Sequence, residues 1–388
     1  MKRIRCLCWF SAAALAWLTA SCSKPPAPVE LDDPLPGLTA DELARFEEGE
    51  EIFEGTFTAE QGLGPLFNAE GCAVCHSEPV DGGAGAIREL HVSAIGAEGM
   101  CDALFDLGGP VIQQRATPAL EALGIVSEPV PDEATGEAQR TTPDVFGFGL
   151  LDAIPDATIL ALADPDDRDG DGVSGRAHVL PGGHVGRFGR KAVVASLAQF
   201  NEGAFQIEIG ITTPNQPFES TIAGKPLPEG VDPLPEPELT AEQVARVDDY
   251  VRFLAPPSPA PFDHTARKGK RVFERIGCAA CHVPSLRTGD HEVRVLSRKE
   301  VAAYTDLLLH DMGAELADIC LVDATPSEFR TEPLMGLRHM QRFLHDGRAT
   351  TVTDAILAHG GEAERSRTAF ADLDESERQA LLAFLGTL

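Results

Sequence analysis

The stretch Gly277-Cys278-Ala279-Ala280-Cys281-His282 decides how this chain folds. Two cysteines three positions apart, followed directly by a histidine, are the attachment pattern of a c-type haem. Each thiol can form a thioether with a haem vinyl group, and the histidine then lies under the iron as its proximal ligand. The stretch therefore predicts a haem held by Cys278, Cys281 and His282.

A second copy of the pattern, Gly71-Cys72-Ala73-Val74-Cys75-His76, occurs earlier in the chain. It predicts another covalent haem, held by Cys72, Cys75 and His76, and thus two c-type haems in all. The alternatives are redox-active cysteine pairs or a four-cysteine zinc site. Zinc does not need a histidine directly after each cysteine pair, so the haem interpretation is favoured.

The first residues have the features of an export signal. Lys2, Arg3 and Arg5 precede a short apolar run, and small residues then lead to Cys22. The run is too short to span a bilayer. It predicts a lipoprotein-type signal peptide over residues 1–21, lipidation of Cys22, and a periplasmic protein held at a membrane through that lipid. Ordinary signal cleavage, with loss of Cys22, is the alternative.

Two predicted helices indicate an internal repeat. Helix Leu38–Phe53, capped by Thr39, and helix Thr265–Arg275 each lead towards a haem motif and share a glycine and a phenylalanine at matching positions. Glycine inside a helix costs stability. Its presence at both Gly49 and Gly269 therefore predicts a close crossing with another helix.

The repeat predicts a mainly α protein with two cytochrome c-like haem domains, the first with a large loop-rich insertion. The crossing helices are expected at Leu239–Leu254 and Ser376–Leu385. The insertion is expected to have loops and short helices, one within Lys191–Phe205, rather than strands. The predicted segments after the signal are a tether (22–37), an N-terminal domain with haem one (38–255), a proline-rich linker (256–262) and a C-terminal domain with haem two (263–388).

The chain is strongly acidic, with a formal net charge of −29. This charge excludes a nucleic-acid partner and favours docking to a small basic cytochrome. Outside the signal, Cys22 and the haem motifs, the remaining cysteines are Cys101 and Cys320. In an oxidising compartment they either pair or remain as buried thiols.

An acidic loop follows in the first domain. Asp167, Asp169 and Asp171 occupy positions one, three and five of an EF-hand-like pattern, with Gly172 at position six. Position twelve is His178 instead of the usual glutamate. The loop is either an incomplete calcium site or a solvated turn.

Longer stretches carry a family resemblance. In the second domain they are Thr305–Gly313, Glu328–Leu337 and Phe343–Arg367, and in the first FGFGLLDAIP, DGDGVSGR and GRFGRKAV. From residue 38 onward the chain closely resembles the bacterial di-haem oxidoreductases, which are also labelled thiol oxidoreductase-like or peroxidase. That family is related to the di-haem cytochrome c peroxidases and to the di-haem enzyme that matures methylamine dehydrogenase.

The resemblance implies a set of iron ligands. His76 and His282 are the proximal ligands, and His359 is the second axial ligand of haem two. Three methionines compete with His359 for that place: Met312, Met335 and Met340. The related enzymes pass electrons between their haems through an intervening tryptophan. Both tryptophans of this chain, Trp9 and Trp17, lie in the signal, so electron transfer between haems must use tyrosine, phenylalanine or direct tunnelling.

Haem one is expected to be the reactive haem. Gln199 and Glu208 resemble the distal glutamine and glutamate of the related peroxidases, and Glu202 competes with Glu208. A carboxylate over an open haem suits proton shuttling. Alternatively, His91 or His184 closes the sixth position. Residues expected as structural or propionate contacts are His310, His345, Arg330, Arg338 and Arg348.

The resemblance thus implies a periplasmic di-haem c-type oxidoreductase of peroxidase type. Electrons would enter at haem two from a donor cytochrome, and peroxide or a related small oxidant would be reduced at haem one. The alternative is a di-haem electron relay without substrate chemistry of its own, serving an iron-uptake or thiol-oxidation system.

Overall fold

The structure, a computed structural model, describes residues 28–388. The predicted signal peptide, Cys22 and the first part of the predicted tether lie outside these residues. Among residues 28–388, none of the helices combines the length and the apolar character needed to cross a membrane.

The repeat predicted from the sequence forms two pairs of crossing helices. The first pair is α1 with α7, and the second is α8 with α11. The α-helices are α1 Ala40–Glu54, α2 Cys72–Cys75, α3 Pro118–Glu121, α4 Phe148–Asp152, α5 Asp156–Leu160, α6 Leu197–Ala204, α7 Ala241–Phe253, α8 His264–Arg275, α9 Val352–Ala358, α10 Glu364–Ala371 and α11 Glu375–Leu385.

Glycine brings the backbones of each pair into contact, as predicted. A Cβ atom at Gly49 would lie 2.0 Å from the carbonyl oxygen of Arg246, and one at Gly269 would lie 1.9 Å from that of Ala380. Both distances are far inside van der Waals contact, so no larger residue fits either crossing. Thr39 caps α1 as expected, because its side chain accepts a hydrogen bond from the backbone N–H of Glu42.

The expectation that the insertion lacks strands is wrong. Strand β2 pairs antiparallel with β3, β4 and β6. Alternation along β2 buries Val92 against Leu104 and Ile112 on one face, and this small apolar core stabilises the sheet. The strands are β1 Leu66–Phe67, β2 Arg88–Ile95, β3 Cys101–Asp102, β4 Val111–Ile112, β5 Arg115–Ala116, β6 Gly136–Thr141, β7 Leu286–Arg287, β8 Glu300–Val301, β9 Leu309–Asp311 and β10 Glu328–Arg330.

The fold is therefore richer in strand than predicted, with 31% helix and 14% strand. The predicted helix in Lys191–Phe205 is also shorter than expected. Residues before Ser196 form bridges to neighbouring turns, and α6 begins only at Leu197. A π-helical turn, Phe205–Ile209, continues α6.

The two haem modules share one apolar core. Ile154, Tyr250 and other buried residues before the linker belong to the same cluster as Leu296 and Leu307 after it. The linker is held on both sides, because the Ser258 N–H donates to the carbonyl of Val29 and the Ala260 N–H to that of Thr387. The second half of the chain thus completes the core of the first.

Polar and covalent contacts also join the two halves. Cys101 and Cys320 form a disulfide, so of the two alternatives that the sequence left open, pairing rather than two buried thiols is correct. Buried Asp318 accepts from the guanidinium of Arg140 and lies 2.9 Å from the ammonium of fully buried Lys191. Because a buried charge is costly without a partner, these groups fix how the insertion packs on the second domain.

We expect Gly269→Ala and Gly49→Ala each to destabilise the protein by roughly 1–3 kcal/mol, because the added methyl group meets a carbonyl oxygen of the crossing helix. Gly203→Ala is the matched control, since Gly203 lies in α6 with nothing near its missing side chain. That change should be neutral or stabilising by up to about 1 kcal/mol. Denaturant unfolding measures all three, and equal effects at Gly203 and Gly269 would contradict the close crossing.

Candidate haem sites

A cavity with a volume of 270 Å³ lies at the end of α8 and extends to the first domain. The second haem motif forms part of its wall, because α8 ends at the motif and a 3₁₀ turn, Cys278–Ala280, presents the cysteines. Cys278, Cys281, His282 and His359 all line this cavity. The structure therefore brings together the residues predicted to hold haem two.

The two imidazoles of this cavity are oriented in the same way. His282 Nδ1 lies 2.9 Å from the carbonyl oxygen of Tyr304, and His359 Nδ1 lies 2.7 Å from that of Ala355. Such a bond places the proton on Nδ1 and leaves Nε2 free to bind a metal. Burial lowers the pKa of His359 and lowers that of His282 to about 4, so both rings are neutral. This set fits a haem with two histidine ligands.

Three methionines remain alternatives to His359 as the second ligand of haem two. Met312, Met335 and Met340 line the same cavity. Two arginines that the sequence did not single out, Arg190 and Arg342, also line it and would supply cations beside haem propionates.

The predicted propionate arginines separate into two groups. Arg330 lines the cavity and donates to Glu332 at 2.9 Å. Arg338 and Arg348 are not part of the cavity wall; Arg338 donates to His339, and Arg348 to Asp346. Of the three arginines predicted from the sequence, only Arg330 therefore lies where it could contact a haem propionate.

His310 has a structural role. Its ring nitrogens lie 2.9 Å from Asp306 and 2.8 Å from Glu362. Burial alone would lower its pKa, but hydrogen bonds to Asp306, Cys281 and Glu362 raise the pKa to about 12. The ring is therefore an imidazolium that joins β9 to the start of α10. His345 lines the cavity and stacks on Phe329 at 4.5 Å.

The first haem motif occupies α2. Cys72 and Cys75 form no disulfide within residues 28–388, and burial raises the pKa of each thiol to about 12. The His76 ring is buried 6.1 Å from Phe53, and its Nδ1 has no hydrogen-bond partner among the described residues. Two neutral thiols and an unpartnered imidazole nitrogen fit covalent attachment of a haem here.

Two carboxyl groups lie close to Cys75. Glu208, on the π-helical turn, and Glu89, on β2, are within hydrogen-bond range of each other. Burial and the neighbouring Glu89 raise the pKa of Glu208, although Asn68 donates to it at 3.3 Å. Burial also acts to raise the pKa of Glu89, but the neighbouring His91 ring and the Glu208 carboxyl group hold it below its usual value. Glu208 therefore keeps its proton to a higher pH than Glu89 does.

Glu89 was not found from the sequence, because the strand that carries it was not predicted. The sequence marks Glu89 only through its spacing from His91, because residues two apart in a strand lie on the same face of β2. His91 Nε2 lies 3.6 Å from the Glu89 carboxylate.

The structure separates the other candidates for haem one from this cluster. The Gln199 side chain is exposed on α6, and Glu202 accepts a hydrogen bond from exposed Asn215. The position of Gln199 does not support its predicted role beside Glu208. The His184 side chain is 76% exposed, which does not fit an axial ligand of a buried haem.

The acidic loop brings its three carboxylates together. One oxygen each of Asp167, Asp169 and Asp171 lies within 4.8 Å of the others. His178 is buried elsewhere, with Nδ1 2.7 Å from the carbonyl oxygen of Lys191, so it does not complete the loop. Calcium binding here stays a prediction.

The two haem sites are adjacent. Thr142 lies beside the Cys75 thiol at the first site and lines the cavity of the second. The loop after His76 is tied to the second domain by the ion pair Glu78–Arg342 at 2.7 Å. An electron-transfer path between the two haem sites therefore crosses few residues and does not need a tryptophan.

We expect His359→Ala to remove the second axial ligand of haem two and convert that iron from low-spin to high-spin or methionine-ligated. The matched control is His184→Ala, because that side chain is exposed. Electron paramagnetic resonance and visible spectra distinguish these states. An unchanged low-spin signal in His359→Ala would contradict the assignment of His359.

Comparisons with known proteins identify the family of this chain. The family model described as "Di-haem oxidoreductase, putative peroxidase" matches residues 121–388. Among curated proteins, none matches the chain. Similar solved structures include a hydrazine synthase from Kuenenia stuttgartiensis, with 14% identity over 97% of this chain and 100% of that chain and a TM-score of 0.40.

Two further solved structures are similar. One is a MauG-like protein associated with microbial copper homeostasis, with 16% identity over 93% of this chain and 94% of that chain and a TM-score of 0.41. The other is the di-haem peroxidase BthA from Burkholderia thailandensis, with 14% identity over 93% and 89% and a TM-score of 0.41. Similarities this distant carry no conclusion about this chain. Because the family model covers well over half of the residues, the protein belongs to the di-haem oxidoreductase family.

Proposed function

We propose that the protein is a periplasmic, lipid-anchored di-haem c-type oxidoreductase of peroxidase type. Electrons enter at haem two, and peroxide or a related small oxidant is reduced at haem one. The single observation that carries this division of roles is the contrast between the two sites. Two imidazoles meet in the cavity of the second domain, whereas two carboxyl groups lie beside the motif of the first.

In the second domain, the chain's residues support electron transfer without substrate binding. Cys278 and Cys281 would hold the haem covalently, and His282 and His359 would occupy both axial positions. A six-coordinate, low-spin iron offers no open position to a small molecule. The backbone bonds on both Nδ1 atoms keep the two rings fixed, which favours fast electron transfer because the ligands need little rearrangement.

In the first domain, the chain's residues supply and accept protons. A haem bound to Cys72, Cys75 and His76 would supply the redox chemistry. Reduction of one peroxide to two water molecules consumes two electrons and two protons. Glu208, whose pKa is raised, can donate a proton, and the Glu89 carboxylate next to it, whose pKa is lowered, can accept one, so the pair can take part in proton transfer.

Other parts of the proposal rest on the sequence. The export signal and Cys22 support the periplasmic location and the lipid anchor, and the net charge favours a small basic cytochrome as donor. Calcium at Asp167, Asp169 and Asp171 would brace the loop that precedes Ser174, whose hydroxyl donates to Glu362 at 3.0 Å.

A second candidate function is an electron relay in which haem one is also six-coordinate. The position of His91 favours it, because this buried ring lies in the same cluster as Glu89 and Glu208. The relay would serve an iron-uptake or thiol-oxidation system and would have no peroxide turnover.

We expect Glu208→Gln to lower peroxide turnover by about 10²–10⁴-fold, because the glutamine cannot transfer a proton. Glu89→Gln should also lower peroxide turnover, whereas Glu202→Gln, at a partly exposed position of α6, should change the turnover less than about twofold. Steady-state turnover with a chemical electron donor measures all three.

Two results would contradict the peroxidase assignment. Unchanged turnover in Glu208→Gln would remove the role of this carboxyl group. A wild-type protein whose haem one stays low-spin after reduction, with no peroxide turnover, would support the relay instead, and His91→Ala should then change the spectrum of haem one.

A further inference from the structure

The two repeat helices that lead to the haem motifs carry opposite charges at matching positions. Helix α1 contains Glu47-Glu48-Gly49-Glu50-Glu51-Ile52-Phe53, and α8 contains Arg267-Lys268-Gly269-Lys270-Arg271-Val272-Phe273. The glycine and the phenylalanine are the same, because both helices make the same crossing. The four flanking positions are acidic in α1 and basic in α8. Equivalent helices of the two repeats therefore present charges of opposite sign to a partner protein.

The rest of the chain shows the same asymmetry. Residues 263–388 contain 16 of the 32 Lys and Arg residues and 20 of the 61 Asp and Glu residues, so they contribute −4 to the net charge of −29. The preceding residues contribute the other −25. The acidic character of the protein thus belongs to the first domain and its tether, and whole-chain charge does not describe the surface near haem two.

The basic side chains of α8 are available to a partner. Arg267 and Arg271 are exposed and lie one turn apart, and Lys268 and Lys270 are partly exposed. Within the described part of the chain, none of the four forms an ion pair with a carboxylate. Lys268 donates to the hydroxyl of Ser376 at 2.8 Å, which leaves its charge uncompensated. We call these four residues the α8 cationic face.

This face lies next to the haem-two motif. The helix that carries it ends at Arg275, three residues before Cys278, and buried Phe273 on its inner side packs 6.4 Å from the His282 ring. One turn of helix, 5.4 Å, separates Arg271 from Arg275. A protein docked on the α8 cationic face would therefore have its redox centre close to haem two.

We propose that the α8 cationic face is the docking surface for an electron-donor protein that presents an acidic face, in place of the basic cytochrome that the net charge of the whole chain favours. The inference rests on the proposed entry of electrons at haem two. At physiological ionic strength, charges interact over about 8 Å. The charge on the docking surface of a partner is therefore selected by the nearby cations of α8 more than by the distant carboxylates of α1. In the docked pair the donor loses one electron to haem two, and no atom is transferred.

The probe is mitochondrial cytochrome c in two forms: the native basic protein, and the same protein made acidic by succinylation of its lysines. Stopped-flow absorbance measures the rate at which each reduced form passes electrons to the holoprotein at several salt concentrations. The acidic form should react faster at physiological ionic strength, and its rate should fall as salt rises further, because the local attraction is screened.

Paired variants test the surface itself. At physiological ionic strength, Arg267→Glu with Arg271→Glu should slow the acidic donor at least tenfold, and the repeat-matched control, Glu47→Arg with Glu51→Arg in α1, should change its rate less than twofold. An uncharged hydroquinone should reduce haem two at the same rate in all three proteins. Unchanged haem absorbance and circular dichroism show that each variant is folded.

The possible failures are distinguishable. If the α8 variant reacts with the acidic donor as fast as the wild type while hydroquinone still reduces haem two, the docking surface is wrong and electron entry at haem two stands. If the basic donor reacts faster and the α1 variant slows it, docking occurs on α1 instead. If hydroquinone does not reduce haem two in the wild type, both the docking surface and the proposed function are overturned.

Discussion

The backbone contacts at Gly49 and Gly269 are the constraint on which both haem sites depend. A helix without a side chain at this point can lie against a carbonyl oxygen of its partner, and the crossing fixes the direction in which the chain leaves the helix. One turn later the same helix presents a phenylalanine to the histidine of the motif, Phe53 at 6.1 Å from His76 and Phe273 at 6.4 Å from His282. The repeat thus sets two equivalent positions for iron ligands.

The chemistry of the two sites differs because different segments complete them. In the second domain, α9 ends at His359, which provides a neutral nitrogen in the cavity that His282 lines. In the first domain, the insertion supplies β2 and the π-helical turn, which bring Glu89 and Glu208 to the motif. The same repeated helix pair can therefore support an iron with both axial positions filled in one domain and an acid–base pair beside the haem motif of the other domain.

Sequence patterns predicted what depends on local contacts. The ends of the crossing helices follow from capping residues and apolar spacing, and the haem ligands follow from a six-residue motif. The sheet of the insertion was missed because its short strands are stabilised by partners far along the chain, and Glu89 was missed with it. His359 was accessible only through family resemblance, since nothing near it in sequence marks it as a ligand. The pairing of Cys101 with Cys320 spans 219 residues and could not be read from spacing.

The shared core and the buried Asp318 cluster make the two domains one unit, so the two sites are held at a fixed separation. The account depends most on the presence of a covalent haem at each motif. Mass spectrometry of the denatured mature polypeptide tests this most directly. The account predicts a mass increase equal to two haems, with haem-bearing peptides that contain Cys72–Cys75 and Cys278–Cys281. A polypeptide without any added haem mass, or with haem on only one of these peptides, would contradict it.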